Sequence, residues 1–232
     1  TARSRRVESL SKNPSAERQM TTIAVTAEAG DETRVAISPE TVKKFTGLGC
    51  KVLVEAGAGA RSRFSDQVLK DAGAEIVASG SDAVGKADVL LTVRRPSLET
   101  VKALKSGGIA VAMMDPFGDR AALDELAGTG VTSFTMEFMP RITRAQSMDV
   151  LSSQANLAGY VMVIQAAAHL PRIFPMMMTP AGTLKPANVF VIGAGVAGLQ
   201  AIATAKRLGA KVTAFDTRPV VAEQVQSLGA KF

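Results

Sequence analysis

The sequence predicts an α/β protein with two parallel-sheet domains that are joined by a long helix. Three observations support this prediction. Short apolar runs alternate with helical patterns from Thr22 onward, residues 150–170 form one uncharged stretch, and a glycine-rich turn follows a later apolar run. Strands that are separated by helix-length segments are typical of parallel sheets with helices on both faces.

The first domain is predicted to contain six strands with helices between them. Ser38 is suited to cap a helix that begins at Pro39, because its hydroxyl accepts a backbone N–H bond and proline already has a helical φ. Ser65 and Ser97 are similar candidate caps. The predicted strands are Thr22–Ala27, Lys51–Glu55, Glu75–Ala78, Asp88–Val93, Ile109–Met113 and Val131–Met136.

A long helix over 150–170 follows, and its apolar composition predicts that it is buried. The stretch Pro171–Pro186 is predicted to be a linker in which Met176, Met177 and Met178 pack rather than bind a ligand. We therefore divide the chain into a leader over 1–19, a first α/β domain over 20–149, a connecting helix and linker over 150–186, and the start of a second domain over 187–232.

The composition excludes several classes of protein. With 232 residues, 47% hydrophobic and 21% charged, the chain is globular rather than disordered. One cysteine and one histidine exclude an intramolecular disulfide and argue against a structural zinc site, so we predict no metal. The net charge is +6, but five cations and two acids place +3 of it within residues 1–19, and aromatic residues make up 4%. We therefore expect no nucleic-acid partner.

The leader and two uncharged runs bear on targeting and on the membrane. Residues 1–19 are rich in Arg and Ser without an apolar stretch, which favours a disordered leader or a cloning remnant over an organelle transit peptide. The runs 150–171 and 186–205 reach spanning length. The first contains several polar side chains, and Pro186 and three glycines interrupt the second, so we expect no transmembrane span.

A dinucleotide-binding fingerprint opens the second domain. The strand-like run Val189–Ile192 leads directly into Gly193, Gly195 and Gly198 in the spacing G-x-G-x-x-G. The first glycine permits a tight turn, the second lets a pyrophosphate approach the backbone, and the third lets helix and strand pack closely. A helix that begins at Val196 and Ala197 offers free N–H groups to phosphate.

An acid at the end of the next strand completes the fingerprint. Lys211–Phe215 is predicted to be a strand, and Asp216 follows it 18 residues after Gly198, close to the spacing of a ribose-binding acid. A carboxylate there repels a 2′-phosphate, which favours NAD(H) over NADP(H), although Arg218 is placed to weaken that preference. Both domains are therefore expected to be Rossmann-like.

The loop before the long helix is a second candidate site. It contains two cations, an amide and a carboxylate, among them Arg141, Gln146 and Asp149. An amide can pair with the nicotinamide carboxamide, and the two charged groups can orient that amide. A solvated loop that ends in a helix cap explains the same residues, and from the residues alone it is the better supported interpretation.

Together these motifs resemble the NAD(H)-binding alpha subunit of proton-translocating NAD(P) transhydrogenases, and more distantly the alanine dehydrogenases. The resemblance extends from Met20 to Phe232 and depends on Arg34–Pro39, Pro140–Tyr160 and Gly193–Arg218. It implies that NAD(H) binds this chain, that NADP(H) is held on a partner component, that the chain forms a homodimer, and that a membrane proton-channel component couples hydride transfer to proton movement. The implied location is the cytoplasmic face of the bacterial inner membrane, or the matrix side of the mitochondrial membrane if the leader is a transit peptide.

The resemblance also implies roles for individual residues. Arg141, Gln146 and Asp149 are expected to act in catalysis by orienting the nicotinamide, with no covalent step. The implied cofactor-binding residues are Arg141, Gln146, Ser152, Gly193, Gly195, Val196, Ala197, Gly198, Asp216, Thr217 and Arg218.

Two other functions are considered. An alanine dehydrogenase needs cations for a substrate carboxylate, which Arg34 and Arg94 can supply, and a histidine after the fifth strand, where this chain has Met114 and Asp115. The single histidine, His169, is predicted to be packed and hydrogen-bonded on the long helix. A non-catalytic NAD-binding module is the other alternative, although it has no need of a furnished nicotinamide pocket.

The length limits the expected architecture. After Ile192 only 40 residues remain, whereas a doubly wound nucleotide domain needs about four further strands. We therefore expect a fragment with a truncated second domain that binds NAD(H) poorly by itself.

Overall fold

The computed structural model describes residues 20–232, so the predicted leader over 1–19 lies outside the described residues. The chain divides into two compact units, one ending at Phe138 and the other running from Met139 to Phe232. The loop before the long helix thus belongs to the second unit. The domain boundaries proposed from the sequence stay a prediction.

The first unit is built on a six-stranded parallel sheet with the order β3-β2-β1-β4-β5-β6. This Rossmann-like order reverses direction between β1 and β4. All six predicted strands are confirmed, with ends that agree to within two residues. The strands are β1 (Thr22–Val25), β2 (Lys51–Glu55), β3 (Glu75–Val77), β4 (Val89–Arg94), β5 (Ile109–Met113) and β6 (Thr132–Thr135).

The helices of the first unit begin where the sequence predicts. Ser38 Oγ accepts from Thr41 N at 3.2 Å, with Pro39 in the first helical position. Ser65 and Ser97 cap their helices in the same way. The helices are α1 (Pro39–Gly47), α2 (Asp66–Asp71), α3 (Gly80–Val84), α4 (Leu98–Lys102) and α5 (Arg120–Ala127). Separate apolar clusters, one including Leu90 and one including Val54, form the core.

The second unit contains α6 (Val150–His169), a hairpin of β7 (Met177–Thr179) and β8 (Gly182–Leu184), and a parallel pair of β9 (Asn188–Ile192) and β10 (Lys211–Phe215). Helix α7 (Val196–Arg207) connects β9 to β10, and α8 (Ala222–Ser227) follows. Its core includes Val163, Phe174, Ile202, Val212 and Val225. No helix within residues 20–232 is long and apolar enough to cross a membrane.

The prediction that α6 is buried is wrong for the described chain. Only Gly159 and Val163 are buried in this helix, whereas Leu157 and Met162 are 59% and 64% exposed. Apolar residues surround the whole helix, and α7 covers a single side. His169 is also exposed rather than packed, because it stands in the last turn of the helix, on an uncovered side.

The prediction that three methionines pack within a linker is also wrong. Met176, Met177 and Met178 are 66%, 46% and 82% exposed, and the last two belong to β7. A tight turn causes the difference, since Gly182 has a φ of +124° and its carbonyl oxygen accepts from Thr179 Oγ1 at 3.0 Å. The stretch therefore folds as a hairpin instead of collapsing onto a core.

Candidate functional site

The glycine-rich turn joins β9 to α7 with the geometry of a phosphate-binding turn. Gly193 has a φ of +92°, a conformation that favours glycine. A Cβ on Gly198 would overlap the carbonyl oxygen of Gly193, so that glycine is required for the closeness of helix and strand. The structure thus supports the packing role of the third glycine and the turning role of the first.

Gly195 stands at the start of α7 and faces open space. Among the described residues, no atom lies within 4 Å of a Cβ built on Gly195. The N–H groups of Val196, Ala197 and Gly198 in the first turn of α7 have no acceptor within the helix, and they carry its positive dipole end. An open face beside these amides is what a pyrophosphate needs, so the residues fit a dinucleotide cofactor.

Asp216 follows β10 and is held firmly against the turn. Its Oδ2 accepts from Ala194 N at 2.7 Å, and its carboxylate also accepts from the backbone and the guanidinium of Arg218 at 2.8–3.0 Å. The side chain is 7% exposed. The guanidinium of Arg218, followed by the Ala194 amide, keeps the pKa of Asp216 well below its usual range, so the group is charged. Thr217 is exposed beside it.

These four hydrogen bonds restrict how Asp216 can meet a ribose. A carboxylate has about four acceptor positions, and Ala194 and Arg218 together occupy them. The Arg218 side chain is 58% exposed, which leaves it free to swing away. A ribose hydroxyl can therefore reach the carboxylate once the guanidinium of Arg218 withdraws.

A cavity of about 640 Å³ lies between α6 and the glycine turn. It brings the two sequence motifs of the second unit together, because Arg141 and Ser152 line it with the turn. The predicted site residues around it are Arg141, Ser152, Gly193, Gly195, Val196, Ala197 and Gly198. Gln146, Asp149, Asp216, Thr217 and Arg218 are outside its lining.

Sequence reasoning missed the wall that α6 contributes. The additional residues from this helix are Leu151, Ala155, Gly159, Met162, Val163 and Ala166. Their spacing of three and four positions places them on one face, and the small residues Ser152, Ala155 and Gly159 follow this spacing. That pattern was the available signal.

Asp149 is the N-cap of α6. Its Oδ1 accepts from Ser152 N at 2.9 Å and its Oδ2 accepts from the Ser152 hydroxyl at 2.6 Å. These two bonds hold the pKa of Asp149 below its usual value, and the positive charge of Arg141 contributes. Gln146 lies exposed in the 3₁₀ turn Thr143–Met148, and Asp149 bonds to Ser152 rather than to its amide. The orienting roles of these residues stay a prediction.

The candidate cations of the first unit are ion-paired. Glu32 is 5% exposed, and its carboxylate accepts from Arg34 at 2.7–3.0 Å and from Arg94 Nε at 2.9 Å. The Arg34 guanidinium first, and then Arg94, hold the pKa of Glu32 well below its usual range. Met114 is 1% exposed and points into the core. This cluster is therefore neutralised internally.

Comparisons with known proteins agree with this architecture. The model of the alanine dehydrogenase/PNT N-terminal domain matches residues 24–158, and that of the C-terminal domain matches residues 162–232. An NAD(P) transhydrogenase alpha subunit of Rhodospirillum rubrum is 52% identical over 206 residues, which cover 87% of this chain and 54% of that protein. The chain thus spans about half the length of the curated relatives it matches.

Solved structures give the same relationship. The transhydrogenase from Sinorhizobium meliloti has a TM-score of 0.87 and 57% identity, covering 91% of this chain and 61% of that chain. An L-alanine dehydrogenase has a TM-score of 0.77 and 26% identity, covering 90% of this chain and 58% of that chain. With its six-stranded Rossmann-like sheet and its glycine turn, the chain belongs to the alanine dehydrogenase/PNT family.

Proposed function

We propose that this chain is the NAD(H)-binding part of a proton-translocating transhydrogenase, in which hydride passes directly between NADH and NADP⁺ held on a partner component. The observation that carries the proposal is the cavity in which Arg141 and Ser152 face the glycine turn. An open turn binds the pyrophosphate of any dinucleotide, whereas a cation and a hydroxyl opposite it also suit the nicotinamide half.

Each residue has a defined task in this proposal. The amides of Val196, Ala197 and Gly198 bind the pyrophosphate, and Asp216 accepts from the adenosine ribose and repels a 2′-phosphate. Thr217 and Arg218 border the ribose. Bound NADH supplies the hydride from its nicotinamide ring.

The loop before α6 orients the nicotinamide ring. Gln146 pairs with the carboxamide, while Arg141, Asp149 and Ser152 hold the local geometry. These groups act by position and charge, because a well-oriented pair of reactants needs no covalent step on the protein.

The proposal includes an assembly. The chain acts as a homodimer with a component that binds NADP(H) and a membrane component that conducts protons, on the cytoplasmic face of a bacterial inner membrane or on the matrix side in a mitochondrion. Residues 20–149 form the first domain, 150–186 the connection and 187–232 the start of the NAD-binding domain. The names of the transhydrogenase relatives support the subunit assignment.

Alanine dehydrogenase is less well supported. Its substrate carboxylate needs available cations, but Glu32 engages both Arg34 and Arg94. The position after β5 offers a buried Met114 instead of a histidine. The matched transhydrogenase structure is also more similar, at 57% against 26% identity.

The test is a hydride-transfer assay of the full-length gene product with its NADP(H)-binding and membrane components. NADH is expected to reduce NADP⁺, and Gln146→Ala is expected to slow this transfer far more than it weakens NADH binding. Gln224→Ala, an exposed change on α8, is the matched control and should leave both unchanged. NADH oxidation with pyruvate and ammonia would favour alanine dehydrogenase, and NADH binding without either reaction would favour a non-catalytic module.

A further inference from the structure

Helix α6 touches the first turn of α7 at one glycine. Gly159 is buried in the middle of α6, where a glycine costs about 1 kcal/mol relative to alanine. A Cβ on Gly159 would overlap the carbonyl oxygen of Ala197 and would lie 2.9 Å from its carbonyl carbon and 3.1 Å from its Cα. All three obstacles are backbone atoms, so no side-chain rearrangement can make room.

The contact lies between the two halves of the cavity. Ala197 belongs to the first turn of α7, which presents the amides of the glycine turn. Seven positions before Gly159 in α6 stands Ser152, which with Arg141 forms the opposite wall. At 1.5 Å per residue this separation is about 10 Å along the helix. A shift of α6 at Gly159 therefore moves Ser152 relative to the amides.

We propose that Gly159 is a positioning residue that sets the distance between the pyrophosphate turn and the nicotinamide-side residues. The inference rests on the proposed function and deepens it. ADP, which carries the ribose and pyrophosphate, needs only the turn and Asp216, whereas NADH also needs the α6 side. A methyl group at position 159 separates α6 from α7 and selectively weakens the second half of the ligand.

The experiment compares ADP and NADH binding to the chain carrying Gly159→Ala. NADH is expected to bind about tenfold more weakly, the loss of roughly one charge-assisted hydrogen bond, while ADP binding changes less than about twofold. Asn156→Ala, an exposed change one turn earlier in α6, is the matched control and should alter neither affinity.

The ratio of the two affinities separates a positioning role from a purely structural one. Equal weakening of ADP and NADH would mean that the turn itself is distorted, and unchanged binding would mean that the spacing does not matter, so either result overturns the inference. If the wild-type chain binds neither ligand, the proposed function falls, and the inference with it.

A second variant covers the case in which Gly159→Ala fails to fold, as judged by far-ultraviolet circular dichroism. Ala155→Leu adds bulk to the same face of α6, one turn nearer Ser152, inside the cavity. It should reproduce the selective loss of NADH, and retention of both affinities would overturn the inference.

Discussion

The strand pairs β1–β2 in the first unit and β9–β10 in the second share one device. In each parallel pair, a carboxylate at the end of the second strand accepts from the N–H two residues past the end of the first strand. Glu55 Oε2 accepts from Ala27 N at 2.7 Å, and Asp216 Oδ2 accepts from Ala194 N at 2.7 Å. An acid at this position is therefore a structural tie in both units and does not by itself indicate a nucleotide site.

The connections after the first strands differ. Residues 26–38 separate β1 from α1, whereas residues 193–195 separate β9 from α7. A helix that begins directly after the strand points its free amides at the edge of the sheet, and a long connection does not. The short glycine turn, rather than the acid, therefore distinguishes the nucleotide-binding unit.

The sheets also differ in how far they are covered. Within the described chain, the six strands of the first unit pack against two apolar clusters. Phe190, Ile192 and Phe215 of the second unit are 61%, 78% and 52% exposed. The unit that offers the cofactor turn is thus the one with the less complete core.

The strongest effect is expected to separate the last two glycines of the turn. Gly198→Ala should lower the free energy of unfolding of the second unit by more than about 2 kcal/mol, because the new methyl group overlaps the Gly193 carbonyl. Gly195→Ala should leave stability within about 0.5 kcal/mol, because its Cβ meets no described atom within 4 Å, yet weaken NADH binding strongly. Urea unfolding and NADH titration measure the two effects. Equal stabilities for the two variants would contradict the packing role of Gly198.

The Glu32 cluster predicts an acid sensitivity of the first unit. Its depressed pKa means that its contribution to stability is complete above the unfolded value of about 4.3 and is lost as the pH falls toward the folded pKa. Glu32→Gln should therefore destabilise β1 and β4 by about 1–3 kcal/mol at pH 7, and the gap from wild type should narrow below pH 4.

Hydrogen exchange of the β1 and β4 amides reports this unit alone. Glu40→Gln is the control, since the Glu40–Lys44 pair is exposed to solvent and should contribute little. A gap that widens on acidification would contradict the assigned sign.

The paired acids give a smaller, selective effect. Asp216→Asn should reduce the preference for NADH over NADPH by about tenfold, because the repulsion of a 2′-phosphate is removed. Glu55→Gln, the equivalent change in the first unit, should leave that preference unchanged. Because the pKa of Asp216 is lowered, the preference should also be constant between pH 5 and pH 8. Competition titrations at several pH values measure it, and equal effects of the two variants would erase the distinction between the units.

The weakest effect is expected from the guanidinium over Asp216. Arg218→Ala should raise the preference for NADH by a few fold, because the carboxylate becomes available to the ribose and a cation that attracts the 2′-phosphate is lost. Lys231→Ala, an exposed change near β10, serves as the control. A fall in the preference would show that Arg218 supports NADH binding instead.

Much of the fold was predictable because its determinants are local. The helix caps at Ser38, Ser65 and Ser97 need a hydroxyl within three residues of an N–H, and the glycine turn needs three positions without Cβ atoms. The hairpin at Met177–Leu184 was missed because its strands have three residues each, too short for a clear alternation.

The candidate site was predictable in its parts and less so in its arrangement. The amino-acid sequence was enough to place the turn at Gly193–Gly198 and the acid at Asp216, because backbone conformation and strand ends depend on neighbouring residues. Tertiary packing was needed to show that Arg141 and Ser152 face that turn, that Gly159 lets α6 touch Ala197, and that Glu32 engages Arg34 and Arg94. These contacts join or align separate elements, and composition does not reveal which face of an apolar helix finds a partner.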